Sequence, residues 1–232
     1  MIKKLIILQF LCMFMCSTSC MAQIDSVLVS KVTFKDTNFN NLHAGSGFVL
    51  EYQNKLYAVT AKHVLFFAKT DHMKTISFGD ALQSWEFMSK TNPVKKVIAG
   101  RLINENPNER LEMPPKGDWL IFELKEDIPE GIAVFSVREQ ALKPNEPLFF
   151  MGYPYKSDAP IKVSGQFLGF TEDHNLRLDV PKGTYNGCSG GPVFDAEGKL
   201  VGLVSMGYFN AKDNIMVFEP ASLDYFKQII NN

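Results

Sequence analysis

Apolar and polar residues alternate along most of the chain in short runs, the period-two pattern of strands with one buried face. The first run is "VLVSKVTF" (27–34). "GSGFVLEY" (45–52) and "KLYAVTA" (55–61) flank "QN" and predict a hairpin. Strands are predicted likewise over 74–79, 94–100, 118–124 and 132–137, then over 147–154, 161–170, 175–180, 192–195, 199–206 and 214–220. Gly and Pro punctuate the gaps, as in antiparallel sheets. Helical periodicity is scarce. "AKHVLFFAK" (61–69) has room for one or two turns. "ASLDYFKQIINN" (221–232) predicts a helix capped by Ser222, with Leu223, Phe226, Ile229 and Ile230 on one stripe. So many short strands and one terminal helix predict an all-β fold, two barrels or a sandwich. The polar stretch "REQALKPNE" (138–146) marks the divide between halves, and no domain is expected beyond the last helix.

The first residues break this pattern. "MIKKLIILQFLCMFMCSTSCMAQ" opens with two lysines, runs apolar from Leu5 to Cys16 and ends in small polar residues. That is the layout of a secretory signal peptide over residues 1–22. The apolar core is too short to span a bilayer comfortably. One processing route is cleavage after Ala22. Another lipidates Cys20 through "STSC", where Ser17 replaces the usual Leu; an uncleaved anchor is a third. The protein is therefore expected to be exported, periplasmic or secreted, with a lipid anchor at Cys20 as the alternative. Losing Lys3 and Lys4 takes the 24 basic residues to 22 against 25 acidic ones, a net charge of −3. That balance gives no electrostatic reason to expect nucleic acid as a partner. Cys12, Cys16 and Cys20 leave with the leader, so Cys188 alone remains, and neither a disulfide nor a Cys-based zinc site is expected. No H-E-x-x-H, P-loop or dinucleotide fingerprint occurs, so no metal and no cofactor is expected. A hydrophobic content of 46% with 19 Phe suffices for a core without staples. A monomer is expected.

Three segments place a base, an acid and a nucleophile next to strands. His63 follows the strand that ends at Thr60, Asp118 opens the apolar run "DWLIFEL", and Ser189 lies in "NGCSGGPVFD", a Gly-rich loop that leads into a strand. Taken singly, His63 reads as a structural or surface histidine and Asp118 as a turn or cap residue. Four small residues ahead of an apolar strand call for more explanation. "TAKHV", "GDWLIFEL" and "GCSGGPVFDAEGKLVGLVS" resemble the His, Asp and Ser blocks of the trypsin/chymotrypsin-like serine peptidases, above all the compact bacterial members without disulfides. "GSGFVL" resembles the strand before the His block, and "FFMGYP" the strand that opens the second barrel.

The resemblance extends over nearly the whole chain after the leader. It implies two six-stranded antiparallel β-barrels, over about 23–140 and 141–220, with a C-terminal α-helix over 221–232. It also implies a serine endopeptidase acting on peptide or protein substrates, with His63, Asp118 and Ser189 as triad in the order that fold uses. The roles agree with the chemistry. A serine hydroxyl is a weak nucleophile and needs an adjacent base, and an imidazole titrates near neutral pH. Asp118 would hold the other ring nitrogen and stabilise the imidazolium. Gly187 and Ser189 would offer N–H groups to an oxyanion, where one donor is typically worth about 3–4 kcal/mol. Gly190, Gly191 and Pro192 would let the chain leave the loop closely packed.

Cys188 departs from the family pattern, which usually has Asp or Asn in that slot. In the zymogen-activated branch the Asp pairs with a new N-terminus. Cys cannot make that ion pair, and no Ile- or Val-led sequence follows a basic cleavage site, so activation by N-terminal insertion is not expected. Viral cysteine peptidases of this fold carry G-x-C-G-G. Here the residue before "GG" is Ser189, so Ser189 is expected to attack and Cys188 to be a small buried residue. By resemblance, "KGTYN" (182–186) lines the primary pocket with Gly183 at its base and Thr184 beside it. Ser205, Met206 and Gly207 form the opposite wall. No acid stands at Gly183, and Val204 replaces the His of glutamate-specific relatives, which leaves a small or medium apolar residue as the expected preference. The alternative reading is a catalytically silent or conditionally active peptide-binding module on the same fold. An esterase or acyl transferase using the same residues is a third. His43, His72 and His174 are expected to be exposed, and Glu109 and Glu112 to lie in a mobile loop.

Overall fold

The computed structural model describes residues 25–68, 74–113 and 115–232. The leader predicted over 1–22, its Cys20 and His72 lie outside the described residues. The alternating runs form strands. Those of the N-terminal half are β1 (Leu28–Phe34), β2 (Ser46–Tyr52), β3 (Lys55–Thr60), β4 (Thr75–Ile76), β5 (Leu82–Met88), β6 (Lys96–Leu102), β7 (Asn106–Arg110), β8 (Leu120–Leu124) and β9 (Val134–Ser136). A 3-10 turn over Lys62–Val64 runs into the short helix α1 (Leu65–Ala68). The C-terminal half comprises β10 (Pro147–Gly152), β11 (Ile161–Phe170), β12 (Leu176–Asp179), β13 (Pro192–Asp195), β14 (Leu200–Asn210) and β15 (Ile215–Ser222), followed by α2 (Leu223–Asn231). The predicted hairpin is β2–β3. Its Gln53 and Asn54 both adopt positive φ, 52° and 59°, as the two-residue turn that matches strand twist requires.

The first barrel is hydrogen-bonded in the order β1–β5–β6–β8–β3–β2, and β2 returns to β1 through Leu28↔Gly47 and Val29↔Ser46. Six antiparallel strands thus close into a ring without free edges. β9 adds outside β2 in parallel, and β4 with β7 makes a separate ribbon. The second barrel has the order β12–β11–β10–β13–β14–β15 and is nearly closed. The inward residues of the first ring include Val32, Val49, Trp85, Phe87 and Phe122, all at 1% exposure or less. Each such side chain taken out of water contributes about 1.5–3 kcal/mol. Leu148, Phe150, Phe167, Val193 and Phe218 fill the second.

The terminal helix crosses back to the first barrel. Phe226 is fully buried against Tyr52, Tyr57 and Trp119, and the Trp119 indole N–H donates to the Ser222 carbonyl at 2.8 Å. Ser222 caps α2 as predicted, its hydroxyl accepting from Asp224 N–H at 3.3 Å. The polar divide is pinned rather than loose: Arg138 pairs with Asp195 at 3.3 Å and Glu146 at 3.1 Å. Two strands were not predicted. β5 has the ordinary alternation, with Trp85 and Phe87 inward. β7 is polar and contains Pro107, and so carries no hydrophobic signal.

Candidate active site

Strand register brings His63 and Asp118 together. β3 and β8 are antiparallel neighbours with Thr60 opposite Leu120, so residues just after 60 and just before 120 emerge at the same end of the barrel. The 3-10 turn places His63 there, and Asp118 stands two residues ahead of β8. Asp118 is 2% exposed, and a buried carboxylate must be bonded. Its Oδ1 accepts the His63 backbone N–H at 2.8 Å, and its Oδ2 accepts from His63 Nδ1 at 2.6 Å and from the Ser205 hydroxyl at 2.5 Å. An ionised carboxylate only accepts, so Nδ1 carries the ring proton and Nε2 presents its lone pair. Nε2 lies 2.7 Å from Ser189 Oγ and accepts its hydroxyl proton in a hydrogen bond. Burial presses the imidazole toward its neutral form. The charge and hydrogen bond of Asp118 oppose this and together outweigh it, so the His63 pKa is raised above the ordinary 6.5.

Ser189 reaches His63 because its loop lies directly on the first barrel. A Cβ on Gly190 would come within 2.2 Å of Thr60 Oγ1 and 2.3 Å of the Ser46 carbonyl, so only glycine allows this approach. Ser46 N–H donates to the Ser189 carbonyl at 2.7 Å. The other carbonyls of the loop are also held. Asn186 O accepts from Tyr155 N–H at 3.0 Å, Gly187 O from the Ser46 hydroxyl at 2.8 Å, and Cys188 O from Gly191 N–H at 2.9 Å. A trans peptide carries its C=O and N–H on opposite sides, so these bonds turn the N–H groups of Gly187 and Ser189 away from Tyr155 and Gly191. Among the described residues, neither N–H has a hydrogen-bond acceptor. Gly187 adopts φ +100°, and a Cβ there would lie 2.6 Å from both Tyr153 O and Tyr155 N.

Cys188 points the other way. It is fully buried in the second core with Phe150 and Val193, against Gly152, and burial pushes its thiol up to about 12. The slot that holds a polar residue in the family pattern is therefore apolar here, and Ser46 with Tyr155 N–H takes over the ordering of the loop.

The segments predicted to bind substrate flank this centre. Gly183 and Thr184 are exposed on the loop between β12 and β13. Beneath them the Tyr185 ring packs edge-on against Phe150 at 5.1 Å and Phe218 at 5.8 Å, with its hydroxyl on the Pro181 carbonyl at 2.6 Å. Lys182 Nζ lies 3.8 Å from the Phe209 ring centroid and so links the loop to β14. On β14, Met206 is half-buried and Gly207 exposed, with Phe218 behind it. Ser205, predicted as pocket wall with Met206 and Gly207, donates its hydroxyl to Asp118. It falls where the β14–β15 register shifts between Leu203 and Met206, and such bulges re-aim side chains.

Two further expectations change. His43 is half-buried, not exposed: its ring meets Tyr155 edge-on at 4.7 Å and its Nε2 is buried without a partner among the described residues. Burial, then the Lys90 charge, lowers its pKa. Glu109 lies in β7 and pairs with the buried Lys62 at 2.5 Å, so its segment is anchored. His174 is exposed as expected. A cleft of about 990 Å³, lined by residues such as Tyr57, Arg101 and Glu123, contains neither His63 nor Ser189, so hydrogen-bond geometry rather than cavity size marks the site.

No grouping of His, Cys, Asp and Glu suited to a metal ion occurs among the described residues, and no described helix is long and apolar enough to cross a membrane. A family model described as a trypsin-like peptidase domain matches residues 45–203. A crystal structure of the serine endoprotease from Yersinia pestis is similar in fold, with a TM-score of 0.60 and 14% identity over 90% of this chain. The match covers 63% of that protein's chain, under two thirds of its length. No curated protein matches the sequence.

Proposed function

Because the chain belongs to the trypsin-like peptidase family, we propose that it is an exported serine endopeptidase with Ser189 as nucleophile, His63 as general base and Asp118 as orienting acid. The observation that carries this reading is the line of contacts from Asp118 through His63 to Ser189, at 2.6 and 2.7 Å, beside two N–H groups without acceptors among the described residues. Ser189 Oγ attacks the scissile carbonyl as its proton passes to His63 Nε2. Asp118 stabilises the imidazolium, and the Gly187 and Ser189 N–H groups receive the oxyanion. Collapse breaks the C–N bond, and the leaving amine takes the proton from His63. Water, deprotonated by His63, then releases the acid from the acyl-enzyme. Gly183 and Thr184 on one side and Met206 and Gly207 on the other would hold the substrate. With Tyr185 and Phe218 packed behind them, they favour a small or medium apolar residue before the cleaved bond. Export rests on the leader pattern of residues 1–22.

The test is cleavage of an unfolded polypeptide by the chain lacking residues 1–22. Wild type is expected to release peptides, and Ser189→Ala to lower turnover by about 10⁴-fold or more with its unfolding transition nearly unchanged. Equal cleavage by Ser189→Ala would exclude Ser189 as nucleophile. Peptide binding without turnover in both proteins would favour a binding module.

A further inference from the structure

Lys62, directly before the base, has its side chain only 1% exposed, although a lysine ammonium is rarely buried without a task. Its Nζ donates to Glu109 Oε1 at 2.5 Å and to the Lys116 carbonyl at 2.8 Å, and lies 3.4 Å from the Tyr225 hydroxyl and 4.6 Å from that ring's centroid. These partners come from β7, from the segment leading to Asp118, and from α2. The Tyr225 ring also lies over Gly117, where a Cβ would come within 2.0 Å of it. Its hydroxyl is 3.4 Å from Asn104 Nδ2, and Asn104 in turn grips the segment after Asp118 through the Trp119 carbonyl at 2.7 Å and Ile121 N–H at 3.0 Å. On the backbone, Lys62 N–H reaches the Asp118 carbonyl at 3.4 Å. Residues 116 to 121 are thus clamped on both sides of Asp118, and the lysine at the clamp's centre adjoins His63.

We propose that Lys62, gripped by Glu109, the Lys116 carbonyl and Tyr225, is a positioning residue that locks the Asp118 segment against His63. The terminal helix thereby takes part in fixing the base. The inference rests on the peptidase reading for its kinetic consequence, but not for its structural one. Asp118 holds His63 through two bonds at 2.8 and 2.6 Å, and both depend on where residues 116 to 119 lie. Lys62→Met keeps the packed stem and removes the ammonium. Misplacing a reacting group by about 1 Å costs up to about 100-fold, so a 10- to 100-fold loss in kcat with KM within about twofold is expected.

The experiment pairs kinetics with proton NMR of the His63 Nδ1–H, which a short bond to Asp118 holds far downfield. The chain lacking residues 1–22 is compared with Lys62→Met, Lys62→Arg and Glu109→Gln. The last leaves the buried ammonium in place and changes only its partner, whose side chain is 28% exposed, so it stays informative should Lys62→Met fail to fold. The expected result is that the resonance broadens or moves upfield in Lys62→Met, less so in Glu109→Gln, and that Lys62→Arg restores part of both signal and kcat. A resonance and a kcat in folded Lys62→Met equal to wild type would overturn the proposal. So would an unchanged Glu109→Gln if Lys62→Met does not fold. A resonance that depends on Lys62 in a wild-type protein without peptidase activity would sustain the positioning role and overturn the peptidase reading instead.

Discussion

Ser46→Ala removes one oxygen and should disturb both stability and catalysis. Ser46 is fully buried, and its hydroxyl donates to the Gly187 carbonyl at 2.8 Å while accepting from Tyr153 N–H at 2.9 Å. Alanine leaves the Tyr153 N–H and the Gly187 carbonyl without this partner. A buried group stranded in this way costs about 1–3 kcal/mol, so a loss of about 2–4 kcal/mol is expected, allowing for partial rehydration of the loop. The kinetic effect follows from the same bond. Once free, the Gly187 carbonyl no longer fixes the loop, and its N–H spends less time aimed at the oxyanion. Complete loss of one donor would cost about 10²–10³ in rate, which bounds the effect; a 10- to 100-fold lower kcat is expected. Urea unfolding at constant m-value gives the first quantity and steady-state hydrolysis the second. If Ser46→Ala unfolded at the wild-type urea concentration with wild-type kcat, the loop would be ordered by something other than this hydroxyl.

Other consequences are equally accessible. Ser205→Ala removes a 2.5 Å donor from Asp118 and should lower kcat by about tenfold, since a hydrogen bond to a charged group contributes about 1.5–3 kcal/mol; an unchanged kcat would make that bond incidental. Catalysis needs neutral His63, so kcat/KM should rise with pH through a midpoint above 6.5, and Asp118→Asn, which removes both influences that raise this pKa, should move the midpoint down. The stability contribution has the opposite sense. With the folded pKa raised, it is full below 6.5 and is lost as pH rises through the folded value, which the pH dependence of Tm reads. Burial holds the Cys188 thiol at about 12, so iodoacetamide at neutral pH should leave the folded protein unmodified and active and should label it in urea. Rapid labelling with loss of activity would place the thiol in the open site.

His63, Asp118 and Ser189 stood out because each lies beside a strongly apolar strand, and the pairing of β3 with β8 follows once both strands are recognised. The Gly-rich loop was legible for a similar reason: glycines are needed where Ser189 crosses onto β2 and β3. What tunes the site was not. Ser46 and Gly187 are 141 positions apart, and a serine at the start of a predicted strand gives no sign of what its hydroxyl bonds. Ser205 sits in an ordinary alternating strand, and only the bulge at Leu203–Met206 reveals that its hydroxyl faces Asp118. Lys62 reads as solvated until β7, polar and without periodicity, is found to bring Glu109 over it. His43 looked exposed because it stands before a strand, but Tyr155, from the other barrel, covers its ring. Patterns of burial reveal strands; the partners of buried polar groups come from distant segments, and alternation carries no trace of them.

The most direct measurement is labelling by a serine-directed fluorophosphonate, read by intact mass and by peptide mapping. The account predicts one adduct per chain, on Ser189, formed faster as His63 loses its proton and lost in Ser189→Ala and His63→Ala. No adduct on the folded chain, or an adduct that persists in Ser189→Ala, would contradict it.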